Sequence, residues 1–202
     1  MFPMGASVAG STFVSNFLGL DDYKSAIRSA FVSVFYAGCW SFTLGLILFF
    51  THHDLFPSFF TPDVEVTSEA AKVIPFLAFY VFADGLQAAF NGIIRGCGTQ
   101  FYAMLIVVFA YWFVGVPLSY YFAFTVNDGK MEECNVEWIC GIKGLVAGLT
   151  IGTWTHMILL ALLCIFFTDF EVEAHKARKR IGLENGGCDV KNSYAADMQP
   201  LV

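Results

Sequence analysis

One carboxylate stands inside a long apolar stretch: Asp84, in the run Val73 to Ile94. Tyr80, Asp84, Gln87, Asn91 and Arg95 recur at helical spacing around it. On a helix they form one stripe about 80° wide, with Phe79, Phe82, Leu86, Phe90 and Ile93 on the other side. A carboxylate near the centre of a membrane span costs a few kcal/mol or more, and such a group usually faces a cavity and marks a pathway. The plainer alternative is a structural aspartate bonded to neighbouring hydroxyls. As a functional group, Asp84 could hold a proton or a cation and exchange one for the other. Tyr80, one turn away, offers a π face to an organic cation. Gln87 and Asn91 would line the same cavity.

His156 sits in a second apolar run, among Thr150, Thr153, Trp154 and Thr155. It could relay protons, or be a neutral ring hydrogen-bonded to another helix. His52-His53-Asp54 superficially resembles a metal cluster. Adjacent ligands with no third histidine nearby read better as interfacial polar residues, so no metal is expected. No nucleophile triad, phosphate loop or zinc motif appears, which leaves an enzyme or a cofactor nothing to rest on. Of the six cysteines, Cys39 and Cys164 fall in apolar runs and read as inert. Cys134 and Cys140 share a loop and could pair in an oxidising compartment.

These side chains need elements to carry them, and the composition names the solvent of those elements. The chain has 202 residues, 57% hydrophobic and only 14% charged, with mean hydropathy +0.64. A soluble domain carries about 25% charge, so a water-soluble globule is excluded. The net charge of −6, without a basic face, argues against nucleic-acid binding. A span takes about 20 apolar residues as a helix, and five helices are expected: 1–20, 29–51, 73–95, 101–126 and 144–168. Strands would leave backbone groups unpaired in lipid. The fold class is therefore all-α, a polytopic transmembrane helical bundle.

Lys and Arg set the orientation. Lys24, Arg28, Arg95, Lys176, Arg178, Lys179, Arg180 and Lys191 fall on one side; Lys72, Lys130 and Lys143 fall on the other. The first set should be cytoplasmic, which places the C-terminus inside and the N-terminus outside. The plasma membrane is the expected location, and anionic lipid could meet the basic stretch from Lys176 to Arg180. Two units follow: a membrane domain over 1–170, and a cytoplasmic tail over 171–202 that is basic and then disordered from Leu183 on. The last six residues, DMQPLV, resemble an acidic dileucine sorting signal, a pattern common by chance. Between the second and third spans, Leu55 to Phe60 reads as a short interfacial helix followed by a turn, and Thr67-Ser68-Glu69 as a cap for the third span. The first helix starts at residue 1 with Pro3 in it and has no signal-peptide architecture. It reads as a helix cut in half, so a fragment or short isoform is expected.

Two segments carry a family resemblance. FPMGASVAGSTFVSNFLG is similar to the P-x-G-x-S-x-A-x-S-x-x-V-x-N-x-L-G element of the multidrug and toxin extrusion (MATE) family, through Pro3, Gly5, Ser7, Ala9, Ser11, Val14, Asn16, Leu18 and Gly19. GIIRGCGTQ, from Gly92 to Gln100, resembles the family's G-[VI]-[LI]-R-G-x-G-x-Q junction, with Arg95, Gly96, Gly98 and Gln100 matching. The two occur in order, one helix and an interfacial segment apart, and the resemblance covers about residues 1–170. It implies the second half of the eighth helix and the ninth to twelfth helices of a twelve-helix transporter. It further implies antiport, with organic cations or other xenobiotics exported against H⁺ or Na⁺. In the family the tenth helix carries an acidic residue important for coupling, which aligns with Asp84, and in some members a tyrosine four residues earlier, matching Tyr80. Other coupling carboxylates of the family lie in the seventh and upper eighth helices, outside this chain, so the chain alone is expected not to transport. The alternative reading is a non-transporting truncated membrane subunit or partner-binding isoform.

Overall fold

In a computed structural model the chain is described over residues 2–51, 55–126, 139 and 141–180. Every regular element among the described residues is a helix. Helix α1 (Phe2–Gly19) is rich in Gly, Ser and Thr. The chain reverses through Asp21, at φ 61°, into α2 (Tyr23–Phe50). Asp22 caps α2, accepting from the Ser25 N–H at 3.1 Å and the Ser25 hydroxyl at 2.7 Å. Two short helices follow, α3 (Leu55–Ser58) and α4 (Val64–Ala71), the second capped by Asp63.

Helix α5 (Ile74–Cys97) has Pro75 in its first turn, where no N–H is missed. It stops at Gly98, whose φ of 78° is left-handed and favours glycine. The Thr99 N–H reaches back to the Ile94 carbonyl at 3.1 Å and closes the helix end. Helix α6 (Gln100–Thr125) starts at once and contains two π-helical segments, Phe109–Gly115 and Tyr121–Thr125. Helix α7 is α-helical over Ile142–Leu162 and ends in a π-helical turn, Leu163–Phe167. Helix α8 (Phe170–Arg180) completes the described chain. By length and composition, α2, α5, α6 and α7 can cross a membrane.

The packing is small-in and large-out. Phe31, Phe35, Phe50, Trp112, Phe113 and Phe166 point outward, while helix contacts run through Gly, Ala and Ser. In lipid, large apolar side chains gain little from facing another helix, and small ones let backbones approach. Helix α5 is central, touching α1, α2 and α7. A side chain at Gly85 would strike Ser41 of α2, and one at Gly92 would strike the Ser7 backbone of α1. Val14, Leu18, Ile94 and Leu160 are almost wholly buried at one end of the bundle. Ala174 of α8 is fully buried against that cluster.

The described helices correct the expectations at two points. Helix α2 begins at Tyr23 and not at Ser29, because Asp22 caps it and a charge does not end a helix. Thr67-Ser68-Glu69 lie inside α4 and cap nothing; α5 has no side-chain cap. The basic stretch after the last span is helical to Arg180, held by the apolar positions Phe170, Ala174 and Ala177. Helix α1, with 18 residues including Pro, Gly, Ser and Asn, is not among the four membrane-length apolar helices. His52-His53-Asp54, Cys134, Cys140, Cys188 and the segment from Leu183 lie outside the described residues.

Candidate functional site

Helix α5 carries its polar stripe toward α6 and α7. Asp84, Gln87 and Asn91 are half-buried, whereas Arg95, at the helix end, is exposed. Gln87 Nε2 donates to Asp84 Oδ1 at 3.1 Å. On its other side, Gln87 Oε1 lies 2.8 Å from Nδ1 of His156, on α7. His156 is 2% exposed. The amide therefore bridges a carboxylate on one spanning helix to an imidazole on another, using both of its polar ends.

A second layer of polar groups closes around this bridge. Tyr111 on α6 packs edge-on to the His156 ring, with centroids 5.6 Å apart. Its hydroxyl is 3.3 Å from Thr153 Oγ1, one turn before His156 on α7. Thr153 is fully buried and also donates to the Leu149 carbonyl at 3.1 Å. Tyr80 lies one turn before Asp84 on the same face of α5, with its phenol directed to the Thr153 hydroxyl. The site is thus built by three helices, and the π-helical segment Phe109–Gly115 supplies the Tyr111 contact. Such a segment offsets the helical phase by about one residue and is frequent at functional sites. Among the described residues no group of three His, Cys, Asp or Glu side chains could hold a metal ion.

Sequence spacing placed Tyr80, Asp84, Gln87 and Asn91 on one face and flagged His156; the fold brings Tyr80, Asp84, Gln87 and His156 into one cluster. Asn91 lies one turn further along α5 and Arg95 one turn beyond that. Tyr111 was missed. It sits in the aromatic run FAYWFVG, where no polar periodicity marks it, and only a histidine on another helix gives it meaning.

The two motif segments, in α1 and at the end of α5, meet at one interface. Gly92 rides on the Ser7 backbone, and Gly96 on the Ser11 carbonyl and Val14. Pro3 and Gly5 lie in the first turns of α1, and Asn16 and Gly19 in its last turn. Asn16 is exposed, and a side chain at Gly5 would meet nothing within 4 Å. The profile of the MatE family matches residues 1–121, which takes in both elements and the whole of α5. The chain belongs to the MatE family. This MatE chain is 32% identical to Protein DETOXIFICATION 16 of Arabidopsis thaliana over 202 residues, covering 100% of this chain and 38% of that protein. Against Protein DETOXIFICATION 4 of the same plant it is 34% identical over 190 residues, covering 92% of this chain and 36% of the relative. The crystal structure of the eukaryotic MATE transporter AtDTX14 matches with a TM-score of 0.78 at 29% identity, over 89% of this chain and 37% of that one. The MatE chain thus spans a little over a third of the length of these relatives. It is a multi-pass membrane protein with the helical arrangement of that transporter.

Proposed function

We propose that this chain forms part of the C-terminal lobe of a secondary active antiporter that exports organic cations and other xenobiotics in exchange for protons or Na⁺. The observation that carries the reading is Asp84: a half-buried carboxylate within a spanning helix, hydrogen-bonded through Gln87 toward α7. A site at mid-membrane between two rocking lobes gives alternating access. Competition of the coupling ion and a cationic substrate for one carboxylate then gives exchange. Tyr80 would contribute its ring to the bound cation, Asn91 would line the cavity, and His156 would relay protons. In this reading the chain is a transporter and not an enzyme, and its partners are the exported compound, the coupling ion and membrane lipid.

The test supplies the rest of a transporter. Residues 1–202 replace the aligned stretch of AtDTX14, and the chimera is reconstituted in vesicles beside intact AtDTX14. An inside-acid gradient is expected to drive accumulation of a fluorescent organic cation, and a protonophore should abolish it. A chimera that reaches the membrane as well as AtDTX14 but moves no cation refutes the reading.

The proposed placement is the plasma membrane with the C-terminus in the cytoplasm, where Lys176 and Lys179 would meet anionic headgroups. Two single-cysteine chains, in a background without the six native cysteines, report on it. Glu65→Cys should react with an impermeant maleimide on intact cells, and Lys179→Cys only after permeabilisation. The reverse pattern would invert every assignment of side.

A further inference from the structure

The bridge between Asp84 and His156 has a direction, and the direction comes from an atom that takes no part in it. A glutamine amide can present either its oxygen or its NH₂ to a neighbour. Gln87 has a carboxylate on one side and an imidazole nitrogen on the other, at 3.1 Å and 2.8 Å. The ring can meet an amide oxygen only if Nδ1 carries the proton. Its other nitrogen, Nε2, is buried without a hydrogen-bond partner. A buried N–H without an acceptor is among the rarest groups in folded proteins, so the ring's proton belongs on Nδ1. That N–H fixes Gln87 Oε1, and the NH₂ is left facing Asp84.

We propose that His156 is a positioning residue for Asp84, acting through Gln87: its Nδ1–H holds the amide with the NH₂ turned to the carboxylate, which favours the charged form of Asp84 over the protonated one. The inference rests on the antiport reading for its consequence, but not for its test. A fixed donor is a charge-assisted hydrogen bond only while the carboxylate is ionised. Released from His156, the amide can turn its oxygen to Asp84, an arrangement that only the protonated acid accepts. The other ionisable groups acting at the site are Tyr80 on α5, Tyr111 on α6 and the amino group that precedes α1, whose positive charge reaches Asp84. Helix α1 has no ionisable side chain, and α2 brings Ser41 against Gly85. His156 is therefore the one group beside Asp84, among the described residues, whose hydrogen bonding sets the donor.

Infrared difference titration of the purified chain in nanodiscs reads this directly. The protonated-carboxyl band of Asp84 is assigned by its loss in Asp84→Asn. His156→Leu and Gln87→Leu are each expected to move the midpoint of that band about one pH unit toward higher pH, the size of one charge-assisted hydrogen bond. The double variant should move it no further than either alone. His156→Asn, which keeps an N–H near the Nδ1 position, should restore the original midpoint. An unmoved midpoint in His156→Leu, shifts that add in the double variant, or an Asp84 band that never appears would overturn the proposal. Nitrogen NMR of histidine-labelled unmodified chain is the second measurement, independent of whether the variants fold: His156 should show the Nδ1–H tautomer, and the Nε2–H tautomer would equally overturn it. Efflux by the chimera that survives Asp84→Asn would defeat the antiport reading and leave these results standing.

Discussion

In the AtDTX14 chimera, Asp84→Asn should abolish proton-driven cation efflux while leaving the amount of protein in the membrane unchanged. Asparagine keeps the size of the side chain and can still meet Gln87, which bonds Asp84 Oδ1 at 3.1 Å. It cannot change charge. A proton loses its acceptor and a cation loses its counter-charge, so both halves of the exchange fail together. Tyr80→Ala in the same assay should be milder, because it removes a cation–π contact of about 0.5–2 kcal/mol, roughly two- to thirty-fold in affinity. Its effect should be largest on aromatic and quaternary cations. Wild-type efflux from Asp84→Asn would make Asp84 a structural residue and the polar stripe of α5 a packing surface.

The second large effect is on the fold. Gly148→Val should lower the melting temperature of the purified chain by about 6–12 °C, whereas Gly5→Ala should leave it within about 1 °C. A Cβ at Gly148 lands 2.3 Å from the Ser119 backbone nitrogen and 2.4 Å from its Cα. Backbone cannot rotate away, so α6 and α7 must part, breaking the Ser119 hydroxyl bond to the Leu145 carbonyl at 3.0 Å. Overpacking of this kind costs about 3 kcal/mol, and each kcal/mol is about 2–4 °C in a chain of this size. At Gly5 nothing lies within 4 Å. Equal melting temperatures for the two variants would show that α6 and α7 do not pack through this glycine.

The helices were readable because a bilayer permits few alternatives: uncharged stretches of membrane length have to be helical. Asp84 was readable for a related reason, since a lone carboxylate in such a stretch has few structural excuses. What spacing could not supply was the partner of each group. Gln87 looks like a cavity residue from its position on the stripe; only the approach of α7 makes it a bridge to His156. Tyr111 was hidden twice, by its aromatic neighbours and by a π-helical segment that shifts the phase used to assign faces. Helix α8 was hidden by charge, because Phe170, Ala174 and Ala177 are outnumbered in its sequence by Lys, Arg and Glu. The glycines of α5 and α7 were visible as letters, but a glycine does not name the backbone that will press against it.

The glycine contacts of α5 also set how this bundle can move. Gly85 is notched over Ser41 of α2, Gly92 over Ser7 and Gly96 over Ser11 of α1. Sliding α5 by one residue, about 1.5 Å, would bring larger side chains onto those serines. A shift of a full turn, about 5.4 Å, does not restore the fit, because it brings Ala89, Gly96 and Gln100, or Val81, Ala88 and Gly92, to the three positions. Three helices meshed in this way behave as gear teeth without backlash, so any displacement that carries Asp84 carries α1, α2 and α5 as one stiff body.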